Sequence, residues 1–159
     1  MYIKPQMLRI LLITTALMLT SCAPTGIQDP LTWLNFPLKL EGTLSINDSQ
    51  CSLEAEFDTR THGRITANTT EYMYTDGNIT LGAKGMMLPI AITPPFIEFT
   101  AGIPAIDGSM LISTESDGET VKAEYRTETQ TYTAVTDKNG TLLSITDGRF
   151  TFKPNEYTK

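Results

Sequence analysis

The sequence contains few of the residues on which most enzymes depend. Its 159 residues include one histidine, His62, two cysteines and one tryptophan. A catalytic serine needs a neighbouring base and a turn that presents it, and the chain has no Gly-x-Ser-x-Gly motif. It also has neither a glycine-rich phosphate loop nor a His and Cys cluster with metal-ligand spacing. We therefore expect a protein that is not an enzyme and that holds no metal and no cofactor.

Positive charge is also scarce. The chain has 12 Lys and Arg against 18 Asp and Glu, a net charge of −6. Removing residues 1–21, which contain Lys4, Arg9 and no acidic residue, leaves 10 basic and 18 acidic side chains, a net charge of about −8. DNA, RNA and acidic lipid headgroups bind positively charged surfaces. We therefore expect no nucleic acid among the partners.

The first 21 residues are typical of a secretory signal peptide. Met1–Arg9 is short and basic, and Ile10–Leu19 is apolar apart from two threonines. A membrane-spanning helix needs about 20 apolar residues, and this run has about half that number. We predict a cleaved signal peptide at residues 1–21, a tether with a short helical turn at 22–36, and a single antiparallel β domain at 37–159.

The segment Leu19-Thr20-Ser21-Cys22 resembles the lipobox of bacterial lipoproteins. In these proteins a diacyl lipid is attached to the cysteine, whose thiolate is a strong nucleophile, and the signal is cut just before it. The resemblance implies that Cys22 is lipidated and anchors the protein in the bacterial cell envelope. Ala23 then implies the outer membrane if the organism has one. An ordinary signal peptide and a short uncleaved anchor are the alternatives.

The second cysteine, Cys51, is expected to stay free. In an oxidising compartment two cysteines could form a disulfide. Lipidation of Cys22 would remove the partner of Cys51 from that pairing. We therefore interpret Cys51 as a small buried apolar residue on a strand.

After residue 37 apolar and polar residues alternate, which is the period of half-buried β-strands. The alternation is clearest in Leu38–Ile46 and in Cys51–Phe57. A strand over 64–75 changes phase, which predicts a β-bulge near 68–70. Further strands are expected at 78–83, 110–113, 121–136, 142–145 and 150–152. The pattern predicts an α+β fold dominated by an antiparallel sheet of seven or eight strands with one short helix.

One region breaks the alternation. Gly85–Ile92 is an apolar run with two methionines, and Pro94-Pro95 predicts the start of a short helix that Gly102 ends. The apolar face of this helix is expected to comprise Phe96, Ile97 and Phe99. One interpretation is that this helix fills the core. Alternatively, Met86–Leu88 forms a flexible cover over an apolar ligand, because methionine adapts to variable shapes.

Several motifs resemble those of the bacterial lipoprotein-localisation (LolA/LolB-type) proteins. The motifs are the lipobox, Gly42-Thr43-Leu44 in the opening strand, and Leu88-Pro89 followed by a helix and Gly102-Ile103-Pro104. The resemblance covers about residues 38–152. It implies a curved antiparallel sheet, a half-barrel wrapped around a short helix, with a hollow that binds an acyl chain or the lipid of a lipoprotein.

The inward side chains of such a sheet would line this hollow. We predict nine lining residues: Leu40, Leu44, Leu53, Phe57, Tyr72, Ile79, Met86, Phe96 and Phe99. At about 25 cal/mol per Å², an acyl chain that buries some 300 Å² would gain roughly 7 kcal/mol before ordering costs. Alternatively, the same residues form an ordinary core, and the protein is a surface-exposed scaffold or protein-interaction lipoprotein.

Overall fold

The structure, a computed structural model, describes residues 30–83 and 86–156. The predicted signal peptide, the lipobox with Cys22 and the tether up to residue 29 lie outside these residues. The strands are β1 (Leu38–Ile46), β2 (Ser49–Thr59), β3 (His62–Ala67), β4 (Thr70–Thr75), β5 (Asn78–Ala83), β6 (Met86–Pro89), β7 (Met110–Ser116), β8 (Thr120–Arg126), β9 (Thr131–Asp137), β10 (Leu142–Thr146) and β11 (Phe150–Glu156). Between β6 and β7 are one α-helix, α1 (Pro95–Gly102), and a 3-10 turn (Ile103–Ile106).

All strands of the described residues belong to one antiparallel sheet. Its order is β6-β5-β4-β3-β2-β1-β11-β10-β9-β8-β7, so each half is a meander and β1 pairs with β11 in the middle. No pairing in the described part of the chain joins β6 to β7, and the sheet is therefore open with these two strands at its edges. The predicted sheet-dominated class with one short helix is confirmed. The predicted count of seven or eight strands was wrong, because the sheet has eleven.

Three strands were missed because their boundaries were misinterpreted. The predicted bulge near residue 68 is a turn between β3 and β4, in which Asn68 adopts a φ of 53° and its side-chain oxygen accepts a hydrogen bond from the Ser52 backbone at 3.2 Å. The predicted strand 121–136 is two strands, β8 and β9, separated by a turn at 127–130. The apolar run at 85–92 contains β6.

The helix begins and ends where the sequence predicts. Pro95 occupies its first position, and it ends at Gly102, directly before the 3-10 turn that starts at Ile103 and contains Pro104. The ring of Phe99 lies 5.7 Å from those of Tyr132 on β9 and Phe150 on β11. The Tyr132 hydroxyl donates a hydrogen bond to the Phe99 carbonyl at 2.8 Å, and burial raises the pKa of this phenol, which keeps the donor protonated. The helix is therefore fixed against the β9–β11 half of the sheet.

The residues before β1 also pack against the sheet. Leu34 N–H donates to the Leu31 carbonyl at 2.9 Å, which closes a turn, and Thr32 Oγ1 donates to the Gly140 carbonyl at 3.3 Å. Trp33 and Leu34 are buried in the core. Among the described residues, no helix has the length and apolar character needed to span a bilayer.

Gly42 allows β11 to approach β1 closely, at a point where their register shifts. A Cβ at this position would lie 2.8 Å from Pro154 Cα and would collide with the Lys153 carbonyl oxygen, both backbone atoms that cannot rotate away. We expect Gly42→Ala to lower the free energy of unfolding by about 1–3 kcal/mol. Urea unfolding measures this loss. Gly82→Ala is the control, because its Cβ would come no closer than 3.3 Å to any atom of Glu71, the residue it would meet. Equal midpoints for the two variants would contradict the prediction.

Candidate functional site

The structure divides the nine predicted lining residues into three groups by their exposure. Six are at most 8% exposed and belong to the continuous core: Leu40, Leu44, Leu53, Phe57, Tyr72 and Phe99. Ile79 and Phe96 are partly buried against that core, whereas Met86 is 61% exposed and lies on the edge strand β6. Side chains of α1 and Trp33 share the core with the first six. The middle of the predicted hollow is therefore occupied by protein.

Toward β6, the inner face of the sheet becomes uncovered. Residues directly opposite each other in an antiparallel pair lie on the same face. Tyr72 on β4 is opposite Leu81 on β5, which is opposite Leu88 on β6, and Ala83 is opposite Met86. Leu88 is 44% exposed although its face is continuous with that of the buried Tyr72. An apolar surface thus extends from the core to this edge.

The opposite edge of the sheet is apolar as well. Met110–Ile112 at the start of β7 are all exposed. Of the eight exposed large apolar side chains in the described part of the chain, seven fall within 86–92 and 110–112, and the eighth is Leu143. We call these two stretches the apolar edge segments. Most edge strands are protected by charged residues or proline; 86–92 contains no charge, and Pro89 at the end of β6 is its one protecting residue of these kinds.

A cavity of about 720 Å³ lies beside the β7 edge segment. Four parts of the chain line it: the turn after β2, the end of β4 with Gly77, the segment from Ala101 to Met110, and residues 126–129 at the end of β8 and in the following turn. Its apolar wall includes Tyr74, Ala101, Ala105 and Met110. Tyr74 and its partner Ile79 on β5 both pack against the core. The cavity that Tyr74 lines therefore borders the inner face of the sheet. We call it the edge cavity; its volume is in the range of small-molecule sites.

A second cavity, of about 450 Å³, is lined by residues of β2, β3 and β4, four of which are charged. Arg64 donates to Glu56 at 2.6 Å, and this hydrogen bond lowers the pKa of Glu56 below its ordinary value. Lys39 lies 3.5 Å from the same carboxylate. No group of three or more His, Cys, Asp or Glu within the described ranges is arranged to hold a metal ion. These paired surface charges belong to the solvated face of the sheet.

Cys51 lies on β2 opposite Leu44 and is free and partly buried. Burial raises the pKa of its thiol, so the thiolate is disfavoured. This agrees with the interpretation of Cys51 as a small apolar strand residue.

Sequence reasoning missed the edge cavity because its walls come from four separate segments. The turn at 127–130 could have revealed it, but the sequence pattern predicted one continuous strand over 121–136. Thr127 Oγ1 donates to the Gln130 carbonyl at 2.9 Å, a local side-chain bond typical of turns. No protein-family model matches the chain, and no curated protein matches it.

Proposed function

We propose that the protein is a lipid-anchored lipoprotein of the bacterial envelope that binds an apolar ligand, an acyl chain or the lipid of a lipoprotein, without catalysis. The lipobox at Cys22 supports the anchor. The observation that carries the binding function is that seven of the eight exposed large apolar side chains lie in the two apolar edge segments. Such clustering is characteristic of interaction sites, whereas scattered single apolar residues are not.

The proposed site is the uncovered inner face next to the edges, including the edge cavity, because the centre is filled. We infer that the sheet bends around α1 into an open half-barrel. The eight-residue helix is about 12 Å long. Its residues contact Tyr72 on β4 and Tyr132 on β9, which are six places apart in the sheet. In a flat sheet those strands would be about 29 Å apart.

The filled centre favours a second candidate, a surface scaffold or protein-interaction lipoprotein. Six of the nine predicted lining residues are buried by the protein itself, so they need no ligand. An open sheet edge such as β6 also offers unpaired backbone groups to which an extended peptide could add as a strand.

Native mass spectrometry of residues 26–159, secreted without the anchor and purified without detergent, distinguishes these candidates. We expect the folded domain to retain a lipid mass. Leu88→Asp should weaken lipid binding about tenfold or more, because the bound acyl chain would cover the new carboxylate and remove its water. Leu143→Asp is the matched control, since Leu143 is 43% exposed, like Leu88, but lies outside the edge segments. A folded domain with a clean apo mass would contradict lipid binding and favour the scaffold.

A further inference from the structure

We propose that the edge cavity binds the anionic head of an amphiphile, a carboxylate or a phosphate, while the chain of that amphiphile lies on the cavity's apolar wall. This inference rests on the proposed function and specifies its ligand class. Two arginines line the cavity, Arg60 and Arg126. Guanidinium groups stay charged at any relevant pH and bind carboxylate or phosphate through two parallel hydrogen bonds.

Arg126 differs from the other arginines of the described residues. Arg60, Arg64 and Arg149 each have a carboxylate oxygen at 2.6 to 2.7 Å. In the described part of the chain, Arg126 has no carboxylate within ion-pair distance, even though the protein carries 18 acidic residues. Arg126 lies at the end of β8, opposite Met110, and both residues line the edge cavity.

Arg60 presents a second set of donors. Its Nε donates to Asp107 Oδ2 at 2.6 Å, and within the described ranges the two terminal nitrogens have no hydrogen-bond acceptor, so they can serve a ligand. A Cβ on Gly108 would lie 3.1 Å from Arg60 Nη1, so the absence of a side chain there provides room for the guanidinium. Gly108 also has a φ of +89°, which few other residues adopt.

The arginines are not the only polar residues at the cavity. Ser109 also lines it, but its Oγ is buried and therefore does not contact a ligand in this conformation. Two acids also line the cavity: Asp107 is paired with Arg60, and Glu128 is exposed to solvent, which screens its repulsion of an anion.

The arrangement predicts a preference for a charged head over a neutral one. Beside the arginines, the wall formed by Tyr74, Ala101, Ala105 and Met110 offers apolar surface to the first part of a chain. An alcohol of the same chain length would gain that contact but not the paired hydrogen bonds. Arginine binds carboxylates and phosphates through the same paired hydrogen bonds. The experiment therefore needs one probe for each kind of head group.

The test uses the full processed lipoprotein in phosphatidylcholine nanodiscs. Octanoate, octyl phosphate and octanol are titrated, and hydrogen exchange of peptides covering 101–110 and 126–130 reports binding at the cavity. We expect at least one anionic probe to bind tenfold or more tightly than octanol. Arg126→Gln should remove that advantage without changing octanol binding. Lys122→Gln is the control, because it removes the same charge from the same strand outside the cavity.

The outcomes separate the two proposals. Equal binding of all three probes, unchanged by Arg126→Gln, would overturn the anionic subsite and leave apolar binding in place. If none of the probes protected the cavity peptides from hydrogen exchange, the anionic subsite would be overturned. The proposed function would then be decided independently, by whether the anchor-free domain retains a lipid mass. Octanoate and octyl phosphate show by their relative affinities whether the head is a carboxylate or a phosphate.

Discussion

Replacing Phe99 by alanine is expected to lower the free energy of unfolding by about 3–5 kcal/mol. Phe99 is fully buried, and its ring contacts those of Tyr132 and Phe150. The smaller side chain would leave a cavity between α1 and two strands, and the backbone around it cannot collapse freely because Tyr132 still holds the Phe99 carbonyl. The helix would lose the main contact that attaches it to the β9–β11 half of the sheet.

Urea unfolding followed by far-ultraviolet circular dichroism measures this loss as a lower midpoint at an unchanged slope. Ile92→Ala is the control, because Ile92 is 86% exposed and its truncation should change stability by no more than about 0.5 kcal/mol. If both variants unfolded at the wild-type midpoint, Phe99 would not be part of the core as described.

Cys22→Ser is expected to abolish stable attachment to the membrane. Each methylene of a buried acyl chain contributes about 0.8 kcal/mol, so losing two or three chains removes far more binding free energy than the remaining contacts could supply. Membrane fractionation and the intact mass of the protein measure the result, which we expect to be a soluble protein or an unprocessed precursor.

Cys51→Ser is the matched control for this substitution. It removes the other thiol and should leave the protein lipidated and in the membrane fraction, since Cys51 is a partly buried strand residue. A Cys22→Ser variant that stayed in the membrane at the processed, lipidated mass would contradict the lipobox interpretation.

The strands and the helix could largely be predicted because local signals define them. The alternation of apolar and polar residues predicted β1 with its bounds at Leu38–Ile46. The paired prolines and Gly102 predicted where the helix starts and ends. Two of the three missed boundaries lie in turns without glycine or proline. At Asn68 the turn depends on an asparagine in the left-handed region, and at Thr127 it depends on a side-chain hydrogen bond. Both residue types also occur in strands, so their identity did not indicate a turn.

The site could be predicted less well, for a physical reason. A period of two identifies which side chains share a face, and Leu40, Leu44 and Leu53 do face inward as predicted. Whether such a face encloses a hollow or a core depends on what covers it. The covering elements here are α1 and Trp33, whose positions are determined by contacts between distant parts of the chain.

The pairing of β1 with β11 determines the order in which this sheet can assemble. Each half is built from hairpins between neighbouring strands, but the junction pairs Ile46 with Phe150. The two meanders cannot join until β11 is available to pair with β1, and contacts between strands so distant in the chain slow folding. The two halves can therefore form their hairpins early, whereas the continuous sheet is complete only after this late pairing.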